Sequence, residues 1–405
     1  MIDSISAKYP RTLLSLAALT LCVTFLSNSA LNASFLIFGI ASLFTMRRSI
    51  FKIDKGIFII TGLFFISGLI SNLMNFSELA NVSKSFRGLR FFFFAPFFVS
   101  SFYLIFSFLQ QKTSRKNNVL NWFLILTSVA SLSGLIGLHT GFNYLRFKPV
   151  NHDIRNAGMY GMYMTYAYGI SLFLTLNLGV IFHYKRFKNI INFPILCTSA
   201  LLNLVGLYFS YTRGALLGLA FSLPFLLVKS RKQFVALLLI VSTFFSVFVF
   251  LTESGKHLFL SSSRTRSNME RIAFFKGAIY GFLESPVVGL GVKNIEPNMA
   301  RLKVKNNVED HKPGHSHNIY LEVLANQGLL GIIILISFLF YSFKIFLKIK
   351  EVESLIAVGF FANFCLSGLF QNTFGDSENL QFMIIIWAVF VAWYLINKRS
   401  YLKSL

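Results

Sequence analysis

Long apolar runs, separated by short polar connectors, follow one another along most of the chain. An α-helix needs about 20 mainly apolar residues to cross a bilayer, and many of these runs approach that length. The runs are continuously apolar and lack the alternation of apolar and polar residues found in the strands of membrane barrels. The pattern therefore predicts an all-α polytopic membrane protein with about 12 transmembrane helices. We place them at 12–28, 31–46, 56–75, 91–109, 119–138, 159–183, 191–210, 214–228, 233–251, 328–347, 354–371 and 379–397.

A long polar stretch, residues 252–318, interrupts this series. We therefore expect three parts: residues 1–251 with the first nine transmembrane helices, residues 252–318 as one large loop, and residues 319–405 with the last three helices. Because the first apolar run begins a series of spans, we interpret it as a transmembrane helix rather than a cleaved signal peptide.

The long loop contains a capping-box pattern, Ser267-Asn-Met-Glu270. Apolar side chains recur at helical spacing after it, up to Ser285-Pro286. They are Ile272, Phe275, Ile279 and Phe282. We expect an amphipathic helix lying on the membrane surface, with Arg271 in its first turn. The next stretch, residues 292–314, is polar and basic and is expected to be a mobile loop.

The composition agrees with a membrane protein and excludes a disulfide-stabilised secreted domain. The 405 residues are 55% hydrophobic, and the mean hydropathy is +0.64. The three cysteines all fall inside apolar runs, so no disulfide framework is expected.

The basic residues are distributed in two groups. Of the 38 lysines and arginines, 21 fall in the termini and in short connectors on one side of the predicted membrane, which the positive-inside tendency identifies as cytoplasmic. These are Lys8, Arg11, Arg47, Arg48, Lys52, Lys55, Lys112, Arg115, Lys116, Lys185, Arg186, Lys188, Lys229, Arg231, Lys232, Lys344, Lys348, Lys350, Lys398, Arg399 and Lys403. The other 17 lie on the opposite side, ten of them in the 252–318 loop. Because basic charge is disfavoured in external loops, this second group indicates an anionic partner such as phosphate, and the overall charge is not a nucleic-acid footprint.

Two arginines are candidates for binding that anion. Arg213 lies between two apolar runs that leave almost no loop, where an unpaired charge costs on the order of a few kcal/mol unless it reaches the surface. A helix-end anchor is the simple interpretation, but the external side and the tight Thr-Arg-Gly turn favour a binding role. Arg271, in the first turn of a predicted helix, would oppose the helix dipole, which suits an anion site better than a stabilising role.

The histidines near the end of the loop allow three interpretations. His311, His315 and His317, together with Asp310, have the residue types of a metal site, but an intervening Pro-Gly pair removes the helical geometry that their spacing would need. They could equally be solvated loop residues. In the third interpretation Ser316 caps the next helix, so that His317 at its N-terminus stays neutral and acts as a general base. Nearby arginines would lower its pKa further.

One acidic residue, Glu322, is embedded in an apolar helical context shortly after His317. We expect it either to orient Asn318 or a loop lysine, or simply to solvate the start of the helix.

Three patterns occur in order in the C-terminal half. They are Thr212-Arg213-Gly214 at the start of a span; Arg271 followed by an amphipathic stretch and Glu284-Ser-Pro286-x-x-Gly289-x-Gly291; and His317-Asn318 followed after nine residues by Gly328-x-x-Gly331. Together with twelve predicted helices and one large loop before the histidine, these patterns resemble the signature of the O-antigen ligase and polymerase superfamily of bacterial envelope enzymes.

The resemblance implies a GT-C-like fold and a metal-independent, inverting glycosyltransferase that needs no cofactor. The donor would be a glycan on undecaprenyl pyrophosphate and the acceptor a sugar hydroxyl of lipid A–core. The site would face the periplasm from the inner membrane, with both termini cytoplasmic. In this scheme Arg213 and Arg271 bind the pyrophosphate and stabilise its developing charge, and His317 accepts the proton of the acceptor hydroxyl. We assign further binding of pyrophosphate or glycan to Arg90, Arg155, His315, Asn318 and Arg266.

Other activities remain open at this point. A polymerase of the same superfamily would use a second lipid-linked glycan as its acceptor. A protein O-oligosaccharyltransferase would carry an additional C-terminal domain, which we do not expect because the chain ends at Leu405. A transporter or flippase for an anionic lipid-linked glycan would use the arginines to line a path, but we find no repeated halves of the kind that many transporters show. The strongly basic external side favours a ligase with a phosphorylated acceptor.

Overall fold

The computed structural model describes residues 2–45, 54–109, 118–150, 155–228, 230–253, 255–256, 260, 262–349 and 351–404. Eight of the basic residues in the predicted cytoplasmic connectors lie outside this part of the chain. They are Arg47, Arg48, Lys52, Lys112, Arg115, Lys116, Lys229 and Lys350.

Almost all of the regular structure in the described residues is helical. The helices are α1 (Ile2–Val23), α2 (Asn28–Leu43), α3 (Lys55–Met74), α4 (Val82–Leu109), α5 (Asn118–Thr140), α6 (Tyr163–Phe182), α7 (Tyr184–Phe187), α8 (Phe193–Tyr208), α9 (Arg213–Leu227), α10 (Arg231–Leu251), α11 (Ser262–Glu284), α12 (Ile295–Lys305), α13 (Ile319–Phe346), α14 (Glu351–Ser367) and α15 (Ser377–Ser404). A 3₁₀ turn spans Phe76–Glu78. Between α5 and α6, strands β1 (Phe142–Asn143) and β2 (Lys148–Pro149) form a short antiparallel hairpin.

Each predicted span corresponds to an apolar helix. Within the described ranges, seven helices are long and apolar enough to cross a membrane, namely α3, α4, α5, α6, α10, α13 and α15. Five shorter apolar helices, α1, α2, α8, α9 and α14, occupy the places of the other five predictions. The prediction of an all-α polytopic membrane protein is therefore confirmed, while the number of crossings stays a prediction.

Aromatic side chains fill the interior of the helix bundle. The ring of Phe35 in α2 contacts that of Phe98 in α4 edge-on, with centroids 4.9 Å apart. Some polar groups between the helices pair with one another, which lowers the cost of burying them in an apolar environment. The side-chain amide of Asn363 in α14 donates to Thr175 Oγ1 at 2.6 Å and to Ser171 O at 3.0 Å, both in α6. These contacts hold α6 and α14 together next to α9.

The helix predicted in the long loop is longer than its sequence signals indicate. It begins at Ser262 rather than at the capping box, so Arg271 lies in the middle of α11 and not in its first turn. The argument from the helix dipole therefore does not apply to Arg271.

The face of α11 that packs against the rest of the protein is not the apolar face that we expect on the membrane surface. Ile272 and Ile279 are 45% and 42% exposed, whereas Phe274 and Ala278 are buried against α12 and α13. Gly277 lies on the buried face, where an added Cβ would stand 2.3 Å from the sulfur of Met299 in α12. Small residues thus let α12 approach closely, and contact of the exposed apolar face with a membrane remains a prediction.

The prediction of a mobile loop for residues 292–314 is wrong for its central part, which forms α12. Ile295, Met299 and Leu302 recur at intervals of four and three residues, and all three are fully buried. This helical pattern of apolar residues is short and lies among lysines and arginines. The polar composition of the segment therefore outweighed it in the sequence-based prediction.

Helix α13 is bent at Gly328, whose φ of +63° and ψ of −159° are not helical. The chain at 286–291 packs against this bend and supplies the missing hydrogen bonds: Leu329 N–H donates to Pro286 O at 2.8 Å, and Gly291 N–H donates to Asn326 O at 2.9 Å. An added Cβ at Gly328 would lie 2.4 Å from the carbonyl carbon of Val287. The glycine patterns found in the sequence therefore bring two backbones together.

Candidate functional site

His317 lies immediately before α13 in a left-handed backbone conformation, with φ of +50°. Asn318, and not Ser316 as expected, is the N-cap of α13, because its Oδ1 accepts hydrogen bonds from the N–H groups of Tyr320 and Leu321. Its Nδ2 donates to Leu369 O at 3.1 Å. The predicted binding residue Asn318 thus has a defined structural role.

Glu322 orients the backbone around the histidine. Its Oε2 accepts hydrogen bonds from the N–H and the hydroxyl of Ser316 at 2.8 Å and 2.7 Å. Glu322 is only 6% exposed. Neither Asn318 nor a loop lysine is its partner, so that expectation was wrong. A left-handed conformation in a residue with a Cβ costs on the order of 1–3 kcal/mol, and these two hydrogen bonds help to hold the adjoining His317 in it.

The imidazole of His317 is the first member of a hydrogen-bonded chain. Its Nδ1 lies 2.8 Å from Oε1 of Gln371, Gln371 Nε2 donates to Asp376 Oδ2 at 3.4 Å, and Thr165 Oγ1 donates to Asp376 Oδ1 at 3.1 Å. An ionised Asp376 only accepts hydrogen bonds, and in that state Gln371 presents its NH₂ group to Asp376 and its oxygen to His317. Nδ1 therefore carries the proton of the neutral ring, and Nε2 keeps its lone pair.

Burial keeps the His317 ring neutral. Its pKa is lowered to about 4, mainly because burial disfavours the charged form and secondly because of the charge of His315. The hydrogen bond to Gln371 acts in the opposite direction, while Arg271 and Lys303 lower the pKa further. This direction agrees with the sequence-based expectation, although desolvation outweighs the arginine that we had invoked.

Asp376, like His317, is partly buried. Burial raises its pKa, and the electrostatic interaction with His315 and the hydrogen bonds from Gln371 and Thr165 oppose that rise. The ring of His315 itself lies 4.3 Å from that of His317, between centroids, and its Nε2 is buried without a hydrogen-bond partner among the described residues. The predicted binding residue His315 is therefore adjacent to the proposed base.

The structure brings the two candidate arginines into the same neighbourhood. Arg213 is the first residue of α9, and its Nη2 donates to Asn268 Oδ1 in α11 at 2.9 Å. Arg271 follows Asn268 by about one turn of α11, and its charge acts on the ring of His317. Both arginine charges also act on the hydroxyl of Tyr168 in α6. Helices α6, α9, α11 and the start of α13 thus converge on one polar, positively charged site.

The remaining predicted binding residues make contacts elsewhere. Arg90 in α4 donates to Asn32 and lies over the ring of Phe91. Arg155 lies over the ring of Tyr163, 4.4 Å from its centroid. Among the described residues, neither arginine forms a hydrogen bond or a ring contact with His317.

Arg266 is directed away from this centre. Its side chain is 82% exposed and pairs with Glu270 one turn further along α11, at 3.8 Å.

The candidate metal ligands do not assemble. Among the residues that the structure describes, no three His, Cys, Asp or Glu side chains come close enough to hold a metal ion. His311 is exposed, and Asp310 is engaged with Lys303 at 3.7 Å and with the backbone N–H of Lys312 at 2.9 Å.

Sequence reasoning did not identify Gln371 and Asp376, and it gave Glu322 the wrong partner. No local pattern singles out the first two, which lie in the connection between α14 and α15. Their only signal is a cluster of polar residues, Gln371-Asn372-Thr373, between two apolar runs, which we treated as an ordinary connector.

The fold and the site together define a multi-pass, all-α membrane protein with a buried neutral histidine and two arginines where helices converge. A family model described as O-antigen ligase matches residues 198–336, a segment that contains Arg213, Arg271 and His317. This match supports membership of the O-antigen ligase/polymerase superfamily, whose members are glycosyltransferase-like enzymes. The match covers about a third of the chain and does not include Gln371 or Asp376. No curated protein matches the chain.

Proposed function

We propose that this protein is an O-antigen ligase that transfers a glycan from undecaprenyl pyrophosphate to a sugar hydroxyl of lipid A–core. The observation that carries the proposal is the neutral ring of His317, whose Nδ1 proton is held by Gln371 and whose Nε2 is unprotonated, next to the positive charge of Arg271. A proton acceptor beside guanidinium groups suits a reaction in which a hydroxyl is deprotonated and a pyrophosphate leaves.

In the proposed reaction, the acceptor oxygen attacks the anomeric carbon of the donor while His317 Nε2 takes the hydroxyl proton. The bond from that carbon to the pyrophosphate oxygen breaks, and its electron pair stays on the pyrophosphate. Attack on the face opposite the leaving group inverts the configuration. No metal is required in this scheme, because Arg213 and Arg271 stabilise the charge on the departing pyrophosphate.

The low pKa of His317 fits this sequence of events. Before the donor binds, burial and neighbouring positive charges disfavour the imidazolium. A bound pyrophosphate would partly neutralise those charges and make the ring a better base, because an opposite charge favours the protonated form. Donor binding would thereby prepare the base for the acceptor.

A ligase and a polymerase differ in the acceptor, not in the chemistry described above. The large number of basic residues on the predicted external side supports an acceptor that carries phosphate, as lipid A–core does. We further propose that the protein resides in the bacterial inner membrane with the site facing the periplasm and both termini in the cytoplasm. The short basic connectors support this orientation.

The test is transfer in vitro by purified protein supplied with undecaprenyl-pyrophosphate glycan and lipid A–core, with EDTA present. We expect a lipopolysaccharide product of higher mass from the wild type and from His139→Ala, in which the replaced histidine is exposed in the last turn of α5. His317→Ala, Arg213→Ala and Arg271→Ala should form little of it. Extension of the glycan on its own lipid carrier would instead identify a polymerase. Movement of labelled lipid across a proteoliposome bilayer without any transfer would identify a transporter.

A further inference from the structure

The hydroxyl of Tyr168 is a buried hydrogen-bond donor in α6. Tyr168 lies in the second turn of α6 and is fully buried, and its oxygen forms no hydrogen bond among the described residues. Its neighbour Tyr166 is buried to the same degree, but its hydroxyl donates to Ser131 Oγ at 2.6 Å. A buried polar group without a hydrogen-bond partner destabilises a folded protein. The buried position of the Tyr168 hydroxyl therefore needs an explanation, whereas that of Tyr166 does not.

This hydroxyl lies against the first turn of α9. A Cβ added at Gly214 would stand 2.1 Å from the Tyr168 oxygen, so no larger residue could occupy that position without displacing the tyrosine. The side chain of the N-cap Thr212 makes no capping hydrogen bond to α9. It donates instead to Ser210 O at 3.3 Å, outside the helix.

The N-terminus of α9 also offers a backbone donor. The N–H groups of Ala215 and Leu216 both bond to Thr212 O, but no acceptor for the N–H of Gly214 is found within the described ranges. Uncapped N–H groups at a helix N-terminus attract anions, because the helix dipole adds partial positive charge there. The tyrosine hydroxyl, which lies against Gly214, and this N–H are therefore two donors at the start of α9.

The surrounding charge matches an anionic oxygen. The charges of Arg271 and Arg213 both act on the Tyr168 hydroxyl, together with that of Asp376. A phosphate oxygen placed between the two arginines would accept hydrogen bonds from the hydroxyl and from the backbone. The side chain of Phe370 also packs against Gly214, so it must move aside when such an oxygen is bound.

We propose that the Tyr168 hydroxyl and the Gly214 N–H at the start of α9 form a binding site for one phosphate oxygen of the donor pyrophosphate. The inference rests on the proposed function and adds to the arginines a neutral, geometrically fixed pair of donors. Such donors need little reorganisation as charge develops on the leaving group, which is why they suit a site of this kind.

The experiment compares Tyr168→Phe with Tyr166→Phe, using inorganic pyrophosphate as the probe. Purified protein in detergent is titrated with pyrophosphate by calorimetry, and the inhibition of glycan transfer by pyrophosphate is measured alongside. Loss of a hydrogen bond to a charged group should weaken pyrophosphate binding about tenfold to a hundredfold in Tyr168→Phe. The thermal midpoint of this variant should be unchanged or higher, because an unmet donor has been removed. Tyr166→Phe should show the reverse, with a lower midpoint and unchanged binding.

The outcomes separate this inference from the proposed function. If the wild type transfers glycan and binds pyrophosphate, but Tyr168→Phe binds pyrophosphate equally well, the Tyr168 hydroxyl is not part of a binding site. The ligase proposal then stands. If wild type neither transfers glycan nor binds pyrophosphate, both proposals fail. A Tyr168→Phe variant that binds weakly only because it has unfolded would show a reduced thermal midpoint, and that result would also overturn the inference.

Discussion

Nδ1 of His317 lies 2.8 Å from Oε1 of Gln371, a residue 54 positions further along the chain. The contact joins the segment before α13 to the connection between α14 and α15. Through it, the tautomer of the proposed base depends on an amide that Asp376 orients in turn. The chemistry proposed for His317 is therefore controlled by residues outside the sequence motif that contains it.

The pH dependence of transfer should reflect the low pKa of His317, about 4. Because the neutral ring is the active form, activity that depends on it should persist as the pH falls from 7 to 5 and should be lost only as the pH approaches 4. The measurement is the pH profile of kcat/KM for the donor, which reports the free enzyme. An acid limb near the ordinary histidine pKa of 6.5 would contradict the buried, neutral ring.

Gln371→Glu should move that acid limb to higher pH. A carboxylate beside Nδ1 favours the imidazolium, so the pKa of His317 should rise by about 1–3 units, as is usual for a close opposite charge. The matched control is Gln233→Glu, the same change at an exposed position in α10. An unshifted profile in Gln371→Glu would show that this amide does not control the base.

Arg213→Lys and Arg271→Lys should each reduce kcat/KM for the donor about tenfold or more. A lysine retains the charge but loses the planar pair of N–H donors, and hydrogen bonds to charged groups contribute roughly 1.5–3 kcal/mol. Arg186→Lys serves as the control, since Arg186 pairs with Glu353 at 3.0 Å. Full activity of both site variants would indicate that charge alone is needed there.

Gly328→Ala should destabilise the protein strongly. The backbone conformation at this position, with φ of +63° and ψ of −159°, is essentially confined to glycine and costs an alanine on the order of 1–3 kcal/mol, and its Cβ would also stand 2.4 Å from the carbonyl carbon of Val287. Gly62→Ala is the control, because an added Cβ at Gly62 meets no atom within 4 Å. Thermal unfolding in detergent should give a clearly lower midpoint for Gly328→Ala and no decrease for Gly62→Ala. Equal midpoints would mean that the bend of α13 is not held by the contact with residues 286–291.

Part of this architecture could be predicted from local patterns, and part could not. An apolar run of sufficient length forms a helix in a membrane protein wherever it occurs, so the positions of the apolar helices followed from composition alone. The positions of short helices in polar surroundings did not follow from composition. In α12 the fully buried apolar residues are Ile295, Met299 and Leu302, and three apolar residues among many charges give a weak signal. The start of α11 was misplaced because a capping box also occurs inside a longer helix.

The sequence by itself determined the class of protein, the positions of the apolar helices and the three short motifs that carry Arg213, Arg271 and His317, since each depends on residues close together in the chain. Only the tertiary structure decided which atoms of those motifs meet other groups. The contacts of His317 with Gln371, of Gly328 with Val287 and of Tyr168 with Gly214 join residues that are far apart in sequence. Such contacts depend on how whole helices pack, and no local pattern specifies that packing because it minimises the free energy of the entire chain.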